Sequence, residues 1–443
     1  MVRRVLPLGL PLAVGFVAQL AMSFTDAALV ARLGTAELAG VTLALSVFGV
    51  VMLFGLGVVT AVSPRVAAAF RAGDVEAVRR WYAQGTWLAL AIGLLGIAVL
   101  LNTEDLLVLV GQDPALAAIA QDYNEGAAAG LPFFLLYVNT RCLLTGVGRP
   151  GPATVVMLVA VPLNLAVGYA AVFGAGLGVV GAGLSSTAVR VVVAVLTGVA
   201  VLRVTGLREL GLRARPSAPD RAMLGALVRV GGWIGVRILF GEGFLPVLAF
   251  FVARFGASAT AAHAVGLRVE TLVAVFALGF SGAASAVAAW ARQDGDWRAL
   301  RDLRSALVLI SGTCTAVLAA VLLLGSGLIT GVVFDLRDPV AVDLFTELLP
   351  LVVAYLFVDT LVTTSMGYLV GLADTRLPTI VVTAGYWVVG LGTGLLLAGF
   401  TRAGFLGLWI GVITGGCAVV AFSLARSGHH VRALRAANEG EKP

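Results

Sequence analysis

What most constrains this chain is a succession of apolar runs, each about twenty residues or longer, separated by short charged or glycine- and proline-containing stretches. Twelve such runs fall at residues 5–30, 39–70, 83–102, 115–147, 152–174, 179–202, 223–253, 259–291, 303–331, 342–371, 378–399 and 404–426. A bilayer's hydrocarbon core is about 30 Å thick and takes about 20 helical residues to cross. A membrane barrel would alternate apolar and polar residues along strands of ~10 residues. Continuous runs therefore predict an all-α integral membrane protein with twelve transmembrane helices. Composition agrees. Only 12% of the residues are charged and mean hydropathy is +1.01, whereas soluble domains carry about 25% charged residues. The 55 glycines suit helices that must approach one another closely in lipid.

The charges between the runs set the direction of threading. Arg3 and Arg4 precede the first run, and the even-numbered loops hold Arg71, Arg79, Arg80, Arg149, Arg203, Arg208, Arg213, Arg215, Arg221, Arg292, Arg298, Arg301 and Arg376. The tail adds Arg426, Arg432, Arg435 and Lys442, while the odd-numbered loops hold only Arg32, Arg254, Arg337 and Arg402. Basic loops stay in the cytoplasm, so both termini and every even loop are expected there. The net charge of +6 is then a topology signal, and no nucleic-acid partner is expected. The run after Arg4 is too long for the apolar core of a signal peptide and is read as the first span.

The chain also repeats. Val30-Ala31-Arg32-Leu33-Gly34 returns as Val252-Ala253-Arg254-Phe255-Gly256, at an offset of 222 that also aligns Ser63 with Ser285, Gly73 with Gly295 and Asp74 with Asp296. Gly146 corresponds in turn to Gly371. An even number of spans per half makes this a parallel repeat, with pseudo-twofold symmetry about the membrane normal. The expected organisation is an N-terminal six-helix lobe at 1–202, a cytoplasmic linker at 203–222, a C-terminal six-helix lobe at 223–426 and a cytoplasmic tail at 427–443. Sites in such proteins tend to lie near the midplane at the repeat interface.

Four acids fall inside the runs: Asp26, Glu242, Glu270 and Asp359. An Asp at a helix centre costs about 2.5–3.5 kcal/mol on insertion scales, so each needs a reason to be there. Asp26 and Asp359 have no Arg or Lys in their own runs, and Tyr355 sits four residues before Asp359 on the same helical face. We read Asp26, Glu242, Tyr355 and Asp359 as ion- or proton-coupling residues, with Arg237 within reach of Glu242. Glu270, with Arg268 two residues away, is read as half of a structural ion pair. Gln19, Asn139 and Asn164 are either interhelical hydrogen-bonding groups or cavity ligands. Phe24, Phe240 and Phe244 offer aromatic faces to a bound cation.

The remaining polar residues receive plainer readings. His263 is a packing histidine, and His429 and His430 lie in a solvated tail. Trp233, Tyr386, Trp387 and Trp409 are interface anchors. Cys142, Cys314 and Cys417 act as small buried hydrophobes, without metal-ligand spacing. The glycines at 174, 176 and 178 form a turn without lysine, so no nucleotide-driven engine is expected.

Several stretches together resemble the multidrug and toxic compound extrusion (MATE) transporters. They are Phe24-Thr25-Asp26 through Arg32-Leu33-Gly34 and Leu38-Ala39-Gly40; Pro162-Leu163-Asn164; Ala261-Ala262-His263 through Leu267-Arg268-Val269-Glu270; Gly371 to Pro378; and Tyr386-Trp387-Val388-Val389-Gly390. The resemblance runs in order along nearly the whole chain. Glu242, Tyr355 and Asp359 resemble the cation-site residues of the NorM branch, and Asp26 resembles the first-helix Asp of bacterial members. Arg268 and Glu270 resemble a pattern of other bacterial members. Two positions depart from the family pattern: Ala264 stands where a Gln usually follows the His, and Leu391 where Pro is common.

The resemblance implies a V-shaped pair of six-helix lobes in the bacterial inner membrane. It implies export of cationic or amphipathic organic compounds by alternating access, driven by inward proton or sodium flow. No other cofactor and no catalytic residue is implied, the partners are small organic cations and the lipid bilayer, and the working unit is expected to be a monomer. Two other readings are a flippase of the same superfamily moving a lipid-linked sugar, and a membrane-embedded transferase. The flippase wants several deep basic residues for a pyrophosphate, and only Arg190, Arg237 and Arg268 qualify. The transferase wants paired acids or polar loops, whereas these acids sit on separate helices and the loops are short.

Overall fold

The computed structural model describes residues 1–203, 217–324 and 338–440. Most of the expected linker, with Arg208, Arg213, Arg215 and Pro216, and the loop with Asp335 and Arg337 lie outside the described residues. The rest is helical: α1 (Val2–Val30), α2 (Thr35–Thr60), α3 (Val62–Arg71), α4 (Val75–Leu100), α5 (Thr103–Leu109), α6 (Pro114–Ala128), α7 (Gly130–Gly146), α8 (Gly151–Tyr169), α9 (Gly178–Arg203), α10 (Arg221–Glu242), α11 (Phe244–Val252), α12 (Ala257–Gln293), α13 (Trp297–Leu324), α14 (Pro339–Gly371), α15 (Arg376–Ala384), α16 (Leu391–Phe400) and α17 (Gly404–Gly440). Wider π-turns follow α8 at Ala170–Gly174 and α15 at Gly385–Gly390.

Among the described residues, eleven helical spans are long and apolar enough to cross a membrane, and α6 with α7, bent by 50°, makes a twelfth. The all-α membrane architecture expected from the sequence is therefore what the chain adopts.

Local chemistry starts these helices where they start. Asp113 and Asp338 each precede a proline and accept a backbone N–H of the new helix, from Ala115 at 2.7 Å and Val340 at 3.0 Å. Proline at the first helical position wastes no donor, and the aspartate satisfies one that would be orphaned. The repeat is visible at the same level. Gly73 and Gly295 both take left-handed φ, at 74° and 67°, to end one helix. Asp74 and Asp296 then cap the next by accepting from Ala77 and Ala299, at 2.8 and 2.9 Å.

The chain divides into two compact units, Val14–Val236 (the first unit) and Met1–Ala13 with Arg237–Pro443 (the second). The boundaries thus differ from lobes at 1–202 and 223–426, because α1 and α10 each contribute to both units. Small residues are the reason. In the second unit, Gly9 of α1 lies under the Phe280 ring and Ala13 against Gly279 of α12. In the first unit, Gly231 and Gly235 of α10 press on the backbone of α2 at Val58 and Phe54. Helices without side chains at the contact approach closely and gain dispersion energy that lipid does not offer.

Candidate functional site

Among the described residues, each unit encloses a polar cavity. The larger, about 200 Å³, lies in the second unit and is lined by six elements, among them α11 through Leu245 and Pro246. Arg237 and Glu242 come from α10, Glu270 and Thr271 from α12, Tyr355, Asp359 and Thr363 from α14, Val382 from α15 and Tyr386 from the following π-turn. Glycines on either side of Glu242 weaken the helix there, and α10 stops at that residue before α11 resumes at Phe244. Of the three carboxylates, Glu242 is the most open, Asp359 is half-buried and Glu270 is buried. Tyr355, one turn before Asp359, lies within reach of its carboxylate. The Tyr355 ring packs edge-on against the fully buried Trp409 at 5.9 Å, and Trp409 in turn meets His263 at 5.5 Å.

The charges in this cavity do not balance. Arg237 acts on Glu242 and Asp359, and Glu242 and Asp359 act on Glu270. Three carboxylates thus face one guanidinium. Charge held away from bulk water and left uncompensated is costly, so this arrangement calls for protons or cations.

The smaller cavity, about 80 Å³, lies in the first unit and is lined by Gln19, Met22, Asp26, Asn164, Ser186 and Arg190 among others. Asp26 is held from both sides: Asn164 donates to one carboxylate oxygen at 2.7 Å and Ser186 to the other at 3.0 Å. The same Asn164 amide donates to Thr25 Oγ1 at 2.9 Å. Arg190, one turn beyond Ser186 on α9, supplies the compensating charge and stacks on Phe48 at 4.3 Å. The amide oxygens of Gln19 and Asn164 are buried without a hydrogen-bond partner.

Several expected residues therefore fall into place around the cavities: Asp26, Gln19 and Asn164 around one, Glu242, Tyr355 and Asp359 around the other. Others do not. Glu270 and Arg268 are not brought together, because residues two apart on a helix lie about 200° round the axis. Arg268 is exposed and Glu270 turns into the cavity. Phe24 is 57% exposed for the same reason, being two residues from Asp26, and does not line the cavity. Asn139 is fully buried and clamps α7 to α4, donating to the Tyr82 carbonyl and to Thr86 Oγ1, both at 3.1 Å. Phe240 and Phe244 pack on Trp387 at 5.9 and 5.4 Å, behind the larger cavity, with Phe244 also meeting Tyr386.

The pairing of Arg190 and Ser186 with Asp26, and the cavity places of Tyr386 and Glu270, escaped the sequence reading. The spacing Ser186–Arg190, one helical turn in an apolar run, was the available signal for the first pair. Tyr386 and Trp409 are walls and core, not interface anchors, and Cys417 is exposed.

Helices long enough to cross a membrane, enclosing polar cavities, define a multi-pass membrane protein. The MatE family model matches residues 11–170 and 243–396, and the chain belongs to that family. It is 33% identical over 420 residues to a probable multidrug resistance protein NorM from Bradyrhizobium diazoefficiens, covering 93% of this chain and 89% of the relative. It is 29% identical over 425 residues to the multidrug resistance protein MdtK of Edwardsiella ictaluri, covering 93% and 92%. The fold matches a multidrug resistance MATE family transporter solved in an outward-facing conformation, with a TM-score of 0.87 at 20% identity over 98% of this chain and 96% of that one. A eukaryotic MATE transporter gives 0.84 at 17% identity over 98% of each chain.

Proposed function

We propose that the chain is a secondary active multidrug efflux transporter that exchanges an inward-moving proton or sodium ion for an organic cation by alternating access. The observation that carries this reading is the second-unit cavity, where three carboxylates face one guanidinium. Such a site must hold protons, a metal cation or a cationic drug, and competition among them links ion entry to drug exit if the conformational states differ in affinity. The names of the NorM and MdtK relatives support efflux of drugs. An excess of acid over base favours cationic over anionic cargo and argues against a pyrophosphate-linked lipid. Asp26, with Arg190 beside it, is a second exchange point in which the driving ion competes with a built-in cation. The termini and basic loops face the cytoplasm of the inner membrane, no other cofactor is needed, and the monomer is the working unit.

The test is efflux of a cationic dye from liposomes holding the purified protein, first under an imposed proton gradient and then under an imposed sodium gradient. Dye movement driven by one of these supports the reading and names the ion. Movement driven by neither, or transport confined to anionic compounds, overturns it.

A further inference from the structure

The α14–α15 turn joins the helix that carries Tyr355 and Asp359 into the larger cavity to the helix that runs on into the π-turn bearing Tyr386, and it is held from outside. Asp374 Oδ2 accepts from Arg426 Nε at 2.7 Å and lies 2.8 Å from His430 Nε2, both on α17. Arg292, from the end of α12, donates to the Leu372 carbonyl. α17 has 37 residues; about 20 suffice to cross the hydrocarbon, so Arg426 and His430 lie on the part that projects beyond it. The Asp374 side chain is only 12% exposed.

The corresponding turn of the first unit shows what is unusual here. The backbone pattern is the same: Arg149 N–H donates to Leu144 O at 2.8 Å, as Asp374 N–H does to Leu369 O at 3.0 Å. In the first unit the left-handed residue is Gly148, with φ 78°; in the second it is Ala373, with φ 58°, the single non-glycine residue at positive φ among those described. A side chain there is strained, and such strain persists only where the surroundings impose the conformation. The bonds from Arg292, Arg426 and His430 are those surroundings.

We propose that Asp374 is a positioning residue for the second-unit cavity: by clamping the α14–α15 turn to the projecting end of α17, it holds Tyr355, Asp359 and Tyr386 in register. The proposal rests on the ion-coupled reading above. Twelve residues of α14 separate Asp359 from Gly371, about 18 Å of helix, stiff enough for a tilt at the turn to displace the carboxylate. Partial burial works against ionisation of Asp374, but the hydrogen bonds from His430 and Arg426 and the charge of Arg426 outweigh it and hold the carboxyl below its usual 3.8. Stability from a depressed carboxyl is present above that value and lost as pH falls below it, so the clamp stays closed throughout the neutral range.

The test uses full-length protein in liposomes under whichever gradient drives the wild type. Asp374→Asn and Asp374→Arg should lower maximal efflux about fivefold and shift the half-saturating concentration of the driving ion about threefold. Asp374→Glu, and the reversed pair Asp374→Arg with Arg426→Asp, should recover most of both. A second readout needs no transport. With Cys142, Cys314 and Cys417 replaced by Ala, Thr363→Cys in the cavity wall should change its rate of labelling by a charged thiol reagent about threefold when Asp374→Asn is added. Unchanged efflux and unchanged labelling would overturn the proposal. Lost efflux with neither the ion dependence nor the labelling altered would assign Asp374 to folding alone and overturn it equally. A wild type that moves no dye would refute the functional reading, and the labelling comparison would still decide the clamp.

Discussion

The two cavities handle buried acid in opposite ways. In the first unit one carboxylate, Asp26, meets one guanidinium, Arg190, and two hydrogen-bond donors. In the second, Glu242, Glu270 and Asp359 share Arg237. A balanced pair is stable as it stands, whereas an unbalanced cluster has to take up positive charge from outside. The difference teaches that partners contributed by other helices decide how a buried acid is neutralised: Asp26 by a built-in cation that a driving ion has to displace, the cluster by charge taken up from outside.

That contrast can be broken by removing charge from either side. The largest effect is expected at the unbalanced cluster: Glu242→Gln should cut gradient-driven efflux about 100-fold with normal membrane abundance, since removing one of several crowded acids relieves repulsion. Glu270→Gln should cost about tenfold, while Arg268→Gln, on the exposed face, should stay near the wild-type rate. Equal losses in the two would restore the ion pair that the helix geometry denies.

Asp26→Asn tests the balanced side. Taking one partner from a buried pair costs about 3–5 kcal/mol, so thermal unfolding in detergent should come markedly earlier as well as efflux falling. Normal stability would mean that Arg190 does not depend on Asp26. Smaller effects sharpen the picture. Asn139→Ala should cost about 1 kcal/mol of stability and leave dye export intact, whereas Asn164→Ala should slow export. Phe24→Ala, outside both cavities, should change neither.

Much of this architecture was legible in the sequence. Twelve apolar runs, the offset of 222 and the Gly-Asp pairs at 73–74 and 295–296 are local or periodic signals, and helices in lipid obey them closely because every backbone group must be satisfied internally. The acids announced themselves by their cost. What stayed hidden was which groups meet across helices. Arg190 and Asp26 are 164 residues apart in sequence, and no spacing rule pairs them. His430 looked like a solvated tail because nothing near it in sequence hints at Asp374. The Arg268–Glu270 reading failed on a rule that was available: two residues along a helix is the wrong face.

The most direct test of the account is the dependence of dye efflux on the imposed ion gradient in Asp359→Asn, at matched protein per liposome. If the unbalanced carboxylates couple ion entry to drug exit, the variant's efflux falls to the level of empty liposomes and no longer responds to the gradient. Efflux at the wild-type rate, still rising with the gradient, would contradict the account.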